Sequence, residues 1–376
     1  MSKAGKMDTG LFVATLALLA VGIVMVYSAS FVRAGDSYLI SQVVRAFIAV
    51  ACFSFFINFD YHNLGRYSHI LLICAAVLLV YALTLPEINN VNRWIMVAGM
   101  QFQPSDFARV ALVMFLAKKC DVKEADFSDR SVYIPIYVSI AVICALAAAG
   151  GDFSTPVIIA VTAFAIIFLV GFRVRHLLAY LGICAVTAVV LVWKVGYRLN
   201  RVLAHVRIFW LNHTPTSDEK RLLHQPEQSL IGLGNGGFLG TGLGKGEQKY
   251  FYLPEPHTDY IFTVLGEEFG FVGAVLVLLL FAFVVFRGFN ISLNAPDSMG
   301  RIMAFGLTIM VALYALLHVA VTTTLVPTTG STMPFLSFGG TSLIIVMSSM
   351  GVLLNISSHA TSGTVSVSGR KRAGRR

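Results

Sequence analysis

Charged side chains and cysteines are scarce in this chain of 376 residues. Only 12% of the residues are Asp, Glu, Lys or Arg, whereas 57% are hydrophobic, and the mean hydropathy is +0.77. No soluble fold could bury that much apolar surface. The five cysteines are scattered, odd in number and mostly within apolar stretches, so neither a disulfide framework nor a zinc site is supported. The composition therefore predicts an integral membrane protein.

The chain also lacks a hydrophilic segment large enough to fold by itself. The polar stretch 118–132 is short, and residues 360–376 have the composition of a basic, disordered tail. We therefore expect one membrane domain over residues 1–359, followed by that tail. The exception in length is the segment 196–259, and long loops within compact proteins are usually functional.

Apolar stretches of about 17–25 residues predict membrane-spanning helices. The predicted fold class is an all-α integral membrane protein with about ten transmembrane helices and one long extracytoplasmic loop, 196–259, between helices 7 and 8. The predicted spans are residues 11–28, 40–57, 69–85, 105–117, 133–149, 155–171, 176–195, 260–286, 302–324 and 335–355.

Lysine and arginine predict the orientation, because short cytoplasmic loops carry an excess of both. One set of alternate loops is rich in them, and the tail adds Arg370, Lys371, Arg372, Arg375 and Arg376. The short loops and helix ends of the other side hold only Arg33, Arg45 and Arg93. Both termini are therefore predicted to be cytoplasmic. The net charge of +9 then indicates contact with anionic membrane lipids and not with nucleic acid.

An acidic residue lies at the predicted outer mouth of the eighth helix. Asp259 ends the sequence Leu-Pro-Glu-Pro-His-Thr-Asp, directly before the span 260–286. Removing a carboxylate from water at this position costs free energy, so Asp259 is expected to have a partner or a function. Asp259, Thr263 and Glu267 share one helix face by their spacing, with Glu267 about 12 Å deeper at 1.5 Å per residue. This pattern predicts a polar stripe along a water-accessible cavity; a helix–helix contact with internal hydrogen bonds is the alternative.

Further polar residues fall on the same predicted side. Asp106 and Arg109 are three residues apart at a helix start and can pair, either to orient a substrate or as a structural ion pair. Asp152 precedes the sixth helix, where a carboxylate also caps a helix favourably. Each of these residues thus has a structural as well as a functional interpretation.

A glycine-rich run within the long loop literally matches a dinucleotide-binding fingerprint. Residues 232–237 read Gly-Leu-Gly-Asn-Gly-Gly, but no strand–helix–strand unit surrounds them, so we reject that interpretation. The run instead predicts a flexible loop with tight turns. The alternative is that its backbone N–H groups approach an anionic headgroup.

Residues 248–270, from Gln-Lys-Tyr-Phe-Tyr-Leu-Pro-Glu to Gly-Glu-Glu-Phe-Gly, resemble the most characteristic segment of the SEDS family (shape, elongation, division and sporulation proteins: FtsW, RodA and SpoVE). Collinear matches at 27–30, 93–95, 103–105, 151–155, 327–330 and 334–342 extend the resemblance over nearly the whole chain, with the family's ten helices. The form Gln-Lys-x-x-Tyr-Leu-Pro-Glu favours the division branch. Departures from the family pattern occur at Asp106, Arg109, His318 and residues 223–225, and they concern the fine substrate geometry and not the class of protein.

The resemblance implies a peptidoglycan glycosyltransferase that polymerises lipid II on the outer face of the bacterial cytoplasmic membrane. Asp259 would be the general base, and undecaprenyl pyrophosphate would be the leaving group. Its charge would be stabilised by Arg or Lys, or by a divalent cation such as Mg²⁺ or Mn²⁺. The candidate cations are Arg93, Arg109, Arg198, Arg201 and Lys249. The remaining candidate substrate-binding residues are Gln103, Ser105, Asp106, Asp152, Gln228, Glu255, His257, Thr258, Glu267 and Ser337.

The implied partners are a class B penicillin-binding protein transpeptidase, other divisome proteins and membrane lipids, and the implied location is the division septum. A lipid II flippase is the main alternative, since intramembrane acids and broken spans suit a transporter. Against it, no inverted repeat is visible and the polar residues cluster on one side. An elongation-type polymerase is a second alternative. A purely structural scaffold is a third alternative, but it would give Asp259 no function.

Overall fold

The structure is a computed structural model that describes residues 7–86, 91–97, 100–121, 130–152, 154–172, 177–178, 180, 182, 196–250 and 252–360. Helices account for most of them. In chain order they are α1 (Thr9–Ala34), α2 (Ser37–Asn58), α3 (Tyr61–Arg66), α4 (Ser68–Leu83), α5 (Pro104–Lys119), α6 (Arg130–Ala149), α7 (Ser154–Val170), α8 (Gly196–His205), a π-helical turn (Val206–Trp210), α9 (Ser217–Gly236), α10 (Ile261–Leu293), α11 (Ser298–Thr322) and α12 (Ser342–His359). One antiparallel hairpin, β1 (Ile95–Val97) and β2 (Met100–Phe102), precedes α5.

The predicted all-α membrane fold is confirmed. Within the described ranges, the helices long and apolar enough to cross a membrane are Thr9–Phe31, Ser37–Asn58, Arg130–Ala149, Ile261–Leu293, Ser298–Thr322 and Ser342–His359. Ser68–Leu83 and Ser154–Val170 are shorter apolar helices. The predicted span 105–117 is α5, which is buried over most of its length by the helices around it. The predicted span 176–195 lies mostly outside the described residues, and so does the tail after residue 360.

The start of the last predicted span is wrong. Residues 335–341 are apolar enough to resemble a helix, yet α12 begins only at Ser342. Phe335 has a positive φ of 64°, a conformation that a helix cannot contain. The Ser337 hydroxyl accepts a hydrogen bond from the Met333 amide (2.8 Å) and donates one to the Thr258 carbonyl (2.7 Å). These bonds hold the segment as a turn against the residues that precede α10.

The long segment 196–259 is more ordered than a loop. It contains α8 and α9, and α9 begins with a capping box in which Thr216 and Glu219 satisfy each other's backbone. The prediction of tight turns at the glycine-rich run is wrong, because Gly232 to Gly236 form the end of α9. A Cβ atom on Gly236 would overlap the Gly266 carbonyl oxygen. The glycines therefore let α9 pack closely on α10.

Helix α10 is broken at Gly270, which has a φ of 66° and a ψ of −166°. Two amides of the segment 237–242 donate to the carbonyls just before the break, at 3.0 Å each. The amides of Phe271 and Val272, just after it, donate to carbonyls of the same segment at 2.9 and 3.2 Å. The backbone groups that the break leaves without a helical partner are thus satisfied by this segment.

Candidate active site at one end of the helix bundle

A cavity of about 400 Å³ lies where α2, α5, α7 and α10 begin and α11 ends. Most of its lining is polar. It is lined by Tyr38, Arg45, Arg93, Trp94, Met96, Gln101, Gln103, Asp106, Asp152, Ser154, Thr155, Glu255, His257, Thr258, Asp259, Tyr314, Gly330, Ser331, Thr332, Phe338, Gly339 and Gly340. The cavity thus brings together eight of the candidate residues: Arg93, Gln103, Asp106, Asp152, Glu255, His257, Thr258 and Asp259.

Asp259 lies in the turn immediately before α10, where its amide donates to the Glu255 carbonyl at 3.2 Å. Desolvation at this site raises the pKa of the Asp259 carboxyl from its ordinary value of 3.8 to about 6. The positive charges of Arg93 and Arg201 oppose the increase, and the negative charge of Glu255 adds to it. A carboxylate with this pKa is a stronger base than an ordinary aspartate, and it is still mostly ionised at pH 7.

Asp152 is the centre of a hydrogen-bond network on the cavity wall. Its carboxylate accepts from Gln103 Nε2 at 2.8 Å, Ser105 Oγ at 3.1 Å and Thr155 Oγ1 at 2.7 Å. It also accepts from the Thr155 amide at 3.1 Å, as a capping residue does, and from Ser154 Oγ at 3.2 Å. The network holds the Gln103 side chain at the cavity.

Asp106 and Arg109 form the ion pair that their spacing predicts. Arg109 Nη1 lies 3.0 Å from Asp106 Oδ1, and both side chains are buried. The Arg109 guanidinium also stacks on the ring of Tyr314, 4.0 Å from its centroid, and the Tyr314 hydroxyl lies 3.0 Å from Thr155 Oγ1. Asp106 lines the cavity, whereas Arg109 does not. This geometry favours a structural ion pair over direct contact of Arg109 with a ligand.

An aromatic wall closes another part of the cavity. Phe338 packs against Tyr38 and His257 with centroid distances of 4.8 and 5.4 Å, and Tyr38 and His257 are 4.5 Å apart. The Phe338 amide donates to the His257 carbonyl at 2.8 Å. Tyr38, Arg45, Phe338 and Tyr314 were not among the sequence candidates. The spacing of Tyr38 and Arg45 indicates that their side chains share one face of a helix, because residues seven positions apart are separated by about two turns.

Of the predicted polar stripe, only Asp259 lines the cavity, and Thr263 and Glu267 do not. Thr263 is hydrogen-bonded to Ser229 at 2.5 Å, and Glu267 accepts from the amides of Glu247 (2.9 Å) and Gln248 (3.1 Å). The alternative, a helix contact with internal hydrogen bonds, describes these residues. The stripe prediction failed because helical spacing identifies a face but not the element that packs on it.

Lys249 also lies away from the cavity. Its Nζ atom is 2.6 Å from Glu268 Oε1 and donates to Ser28 Oγ at 3.1 Å, and the Ser28 hydroxyl donates to the Glu268 carboxylate at 2.6–2.7 Å. Lys249 and Glu268 are only 2% and 0% exposed. Their contacts indicate a structural role for Lys249 and not the predicted contact with substrate.

The lining of the cavity also excludes Ser337, Gln228 and Arg201. Ser337 makes the turn contacts described above, and Gln228 lies in α9. Arg201, in α8, acts on the site electrostatically, because its positive charge lowers the pKa of Asp259. The side chain of Arg198 lies outside the described residues.

Two carboxylates of the cavity already have partners within the protein and are poor ligands for a divalent cation. Both oxygens of Asp152 accept hydrogen bonds, and Asp106 is paired with Arg109. In the part of the chain that the structure describes, no group of three or more His, Cys, Asp or Glu side chains is arranged to hold a metal ion. Asp152 and Asp106 therefore do not fit a cation site formed by the protein alone.

The fold and the cavity define a polytopic helical membrane protein with a polar site at the ends of its helices. The chain belongs to the family of cell cycle proteins that comprises FtsW, RodA and SpoVE, which it matches over residues 9–362. It is 36% identical to stage V sporulation protein E of Bacillus subtilis (strain 168) over 364 residues, which cover 94% of this chain and 97% of the relative. It is 35% identical to a Geobacter sp. (strain M18) protein named "Probable peptidoglycan glycosyltransferase FtsW", with 90% and 94% covered.

Two solved structures have the same fold. A chain from a study of a peptidoglycan synthase complex superposes with a TM-score of 0.73 at 23% identity, covering 95% of this chain and 99% of that one. The rod shape determining protein RodA of Thermus thermophilus gives a TM-score of 0.69 at 24% identity, with 95% and 98% covered. The predicted family and fold class are confirmed.

Proposed function

We propose that this protein is a peptidoglycan glycosyltransferase that polymerises lipid II, with Asp259 as the general base. The observation that carries the proposal is a half-buried carboxyl, with a pKa of about 6, on a cavity that also presents arginine side chains. The relatives named as peptidoglycan glycosyltransferases support the reaction class.

The reaction needs one proton acceptor and one stabilised leaving group. An acceptor sugar hydroxyl transfers its proton to the Asp259 carboxylate while its oxygen attacks the anomeric carbon of the donor. The bond from that carbon to the diphosphate oxygen breaks, and its electron pair leaves with the polyprenyl diphosphate. This group needs its charge stabilised more than it needs a proton. Arg93, whose charge acts on Asp259, is one source of that stabilisation.

The pH dependence follows from the pKa of Asp259. The base acts only when it is deprotonated, so kcat/KM should be constant above pH 7 and fall about tenfold per unit below pH 6. The measurement is the initial rate of polymerisation of fluorescent lipid II between pH 4.5 and 8. Thermal unfolding over the same range controls for acid denaturation. A rate that stays constant down to pH 4.5 would contradict the assignment of the base.

The flippase alternative predicts ionisable groups near mid-membrane, whereas the cavity lies at one end of the bundle. The sequence Gln-Lys-x-x-Tyr-Leu-Pro-Glu and the relatives named FtsW and SpoVE favour a role in division or sporulation over elongation. Membership of the family implies a class B penicillin-binding protein transpeptidase as partner. We further propose that the protein acts at the septum with other divisome proteins.

The orientation is testable independently of activity. The proposal places both termini in the cytoplasm and the cavity outside, so Thr214→Cys, on an exposed stretch before α9, should react with an impermeant maleimide in whole cells. Asn294→Cys, between α10 and α11, is the inner control and should react only after permeabilisation. Both variants need a background in which the native cysteines are replaced. The reverse labelling pattern would place the cavity in the cytoplasm.

The function itself is tested by supplying purified protein, together with its transpeptidase partner, with labelled lipid II. Glycan strands on a gel are the expected product. Failure to polymerise, combined with transfer of lipid II across a liposome membrane, would favour the flippase.

A further inference from the structure

Arg45 stands on the face of α2 that borders the cavity. It lies seven residues after Tyr38, two turns of the helix, and both side chains line the cavity. From its position in the sequence, Arg45 is only a positive charge near the end of a predicted span. In the structure, Arg45 lies eight residues after the first residue of α2, which is about 12 Å along the helix axis at 1.5 Å per residue. An ionised group at that depth is costly unless it has a function.

The Arg45 guanidinium is held in place by an aromatic ring. Its Cζ atom lies 4.1 Å from the centroid of Phe338, within the range of a cation–π interaction. Phe338 is itself fixed by ring contacts with Tyr38 and His257 and by the hydrogen bond that its amide donates to the His257 carbonyl. The ring orients the guanidinium without neutralising its charge. Arg45 is therefore a preorganised cation on the cavity wall.

In the part of the chain that the structure describes, Arg45 has no acidic partner. Among the described residues, no carboxylate forms an ion pair with it, and its buried Nε and Nη1 atoms have no hydrogen-bond partner. Arg109, by contrast, is paired with Asp106. The charge of Arg93 acts on Asp259. Within the described ranges, Arg45 is thus a cavity arginine whose charge is not paired with a carboxylate.

We infer that Arg45 binds the diphosphate of a polyisoprenyl-linked substrate in this cavity. This inference rests on the proposed function and names the residue that would hold the substrate's anionic group. A guanidinium suits phosphate because its planar N–H donors match pairs of phosphate oxygens. Phe338 covers one face of the guanidinium, and the Nε and Nη1 donors at its edge have no hydrogen-bond partner among the described residues. The diphosphate belongs either to the donor, as leaving group, or to the acceptor lipid II.

The test compares Arg45→Gln and Arg45→Lys with wild-type protein in the polymerisation assay, with farnesyl diphosphate as a soluble competitor. Arg45→Gln should raise the competitor concentration for half-inhibition by about tenfold to a hundredfold, the usual worth of a hydrogen bond to a charged group. Arg45→Lys should recover part of the loss, since it keeps the charge but not the planar donors. Arg301→Gln, an exposed arginine at the start of α11, is the matched control and should behave as wild type.

The kinetic parameters identify the source of the diphosphate. A fall in kcat at unchanged KM assigns Arg45 to the leaving group, and a rise in the KM for lipid II assigns it to the acceptor. Inhibition by farnesol equal to that by farnesyl diphosphate would overturn the inference, as would an unchanged response of folded Arg45→Gln. Direct binding of farnesyl diphosphate, measured by tryptophan fluorescence, distinguishes the binding role of Arg45 from the proposed function of the protein. Arg45-dependent binding by a wild-type protein that does not polymerise lipid II would support the site and refute the function.

Discussion

Replacing Asp259 with asparagine should lower the rate of lipid II polymerisation by about 10²–10⁴-fold, the usual contribution of a general base. The substitution preserves the size of the side chain and removes its ability to accept a proton at neutral pH. Binding of lipid II and association with the transpeptidase should persist, because neither needs a proton acceptor. The measurement is the initial rate with fluorescent lipid II, together with a binding isotherm for the same substrate.

Asp218→Asn is the matched control for this experiment. Asp218 is an exposed aspartate in the first turn of α9, so its replacement should leave polymerisation unchanged. If Asp259→Asn polymerises at the wild-type rate, Asp259 is not the base. Asp152 is then the next carboxylate to test, because it lines the cavity while Glu267 does not. Normal polymerisation with arrested lipid II translocation would instead favour the flippase.

Replacing Lys249 with methionine should destabilise the protein by about 3–5 kcal/mol, the cost of removing one partner from a buried ion pair. Glu268 would keep its negative charge in a site that is 0% exposed, with the Ser28 hydroxyl as its remaining polar contact. The side chain of methionine has a similar length, so packing changes little. The midpoint of thermal unfolding in detergent is the measurement.

The double variant Lys249→Met/Glu268→Leu separates structure from catalysis. Removing both charges should restore most of the stability, because similarly sized apolar residues often replace a buried pair at little cost. Polymerisation should also be retained, since neither residue lines the cavity. A double variant that is stable but inactive would show that Lys249 contacts substrate, as the sequence predicted.

The sequence predicts the membrane helices well because a lipid environment requires long apolar runs with internal backbone hydrogen bonds. It fails at residues 335–341, where apolar side chains pack in a turn inside the protein and not in a helix against lipid. It also misses the helices α8 and α9, whose polar faces do not form an apolar span.

Prediction of the site follows a similar rule. The sequence points to Asp259, Arg93 and Asp152, which line the cavity, because a charged residue near an apolar span stands out locally in the chain. Lys249 and Glu267 stand out equally. The partners of Lys249 lie in α1 and α10, and those of Glu267 lie in the segment before α10. Spacing along one helix cannot reveal such pairings. Arg45 was overlooked as a binding residue because its location beside Phe338 depends on how α2 and the turn before α12 meet.

The break at Gly270 limits where foreign sequence can be inserted into the protein. Residues 237–242 complete the backbone hydrogen bonds of α10 across that break, so they act as part of the helix although they lie outside it in sequence. An epitope tag or fluorescent protein placed there would separate these donors and acceptors and expose the break to lipid. The exposed residues between Trp210 and Thr216 are the suitable insertion point, because they connect the π-helical turn to the capping box of α9.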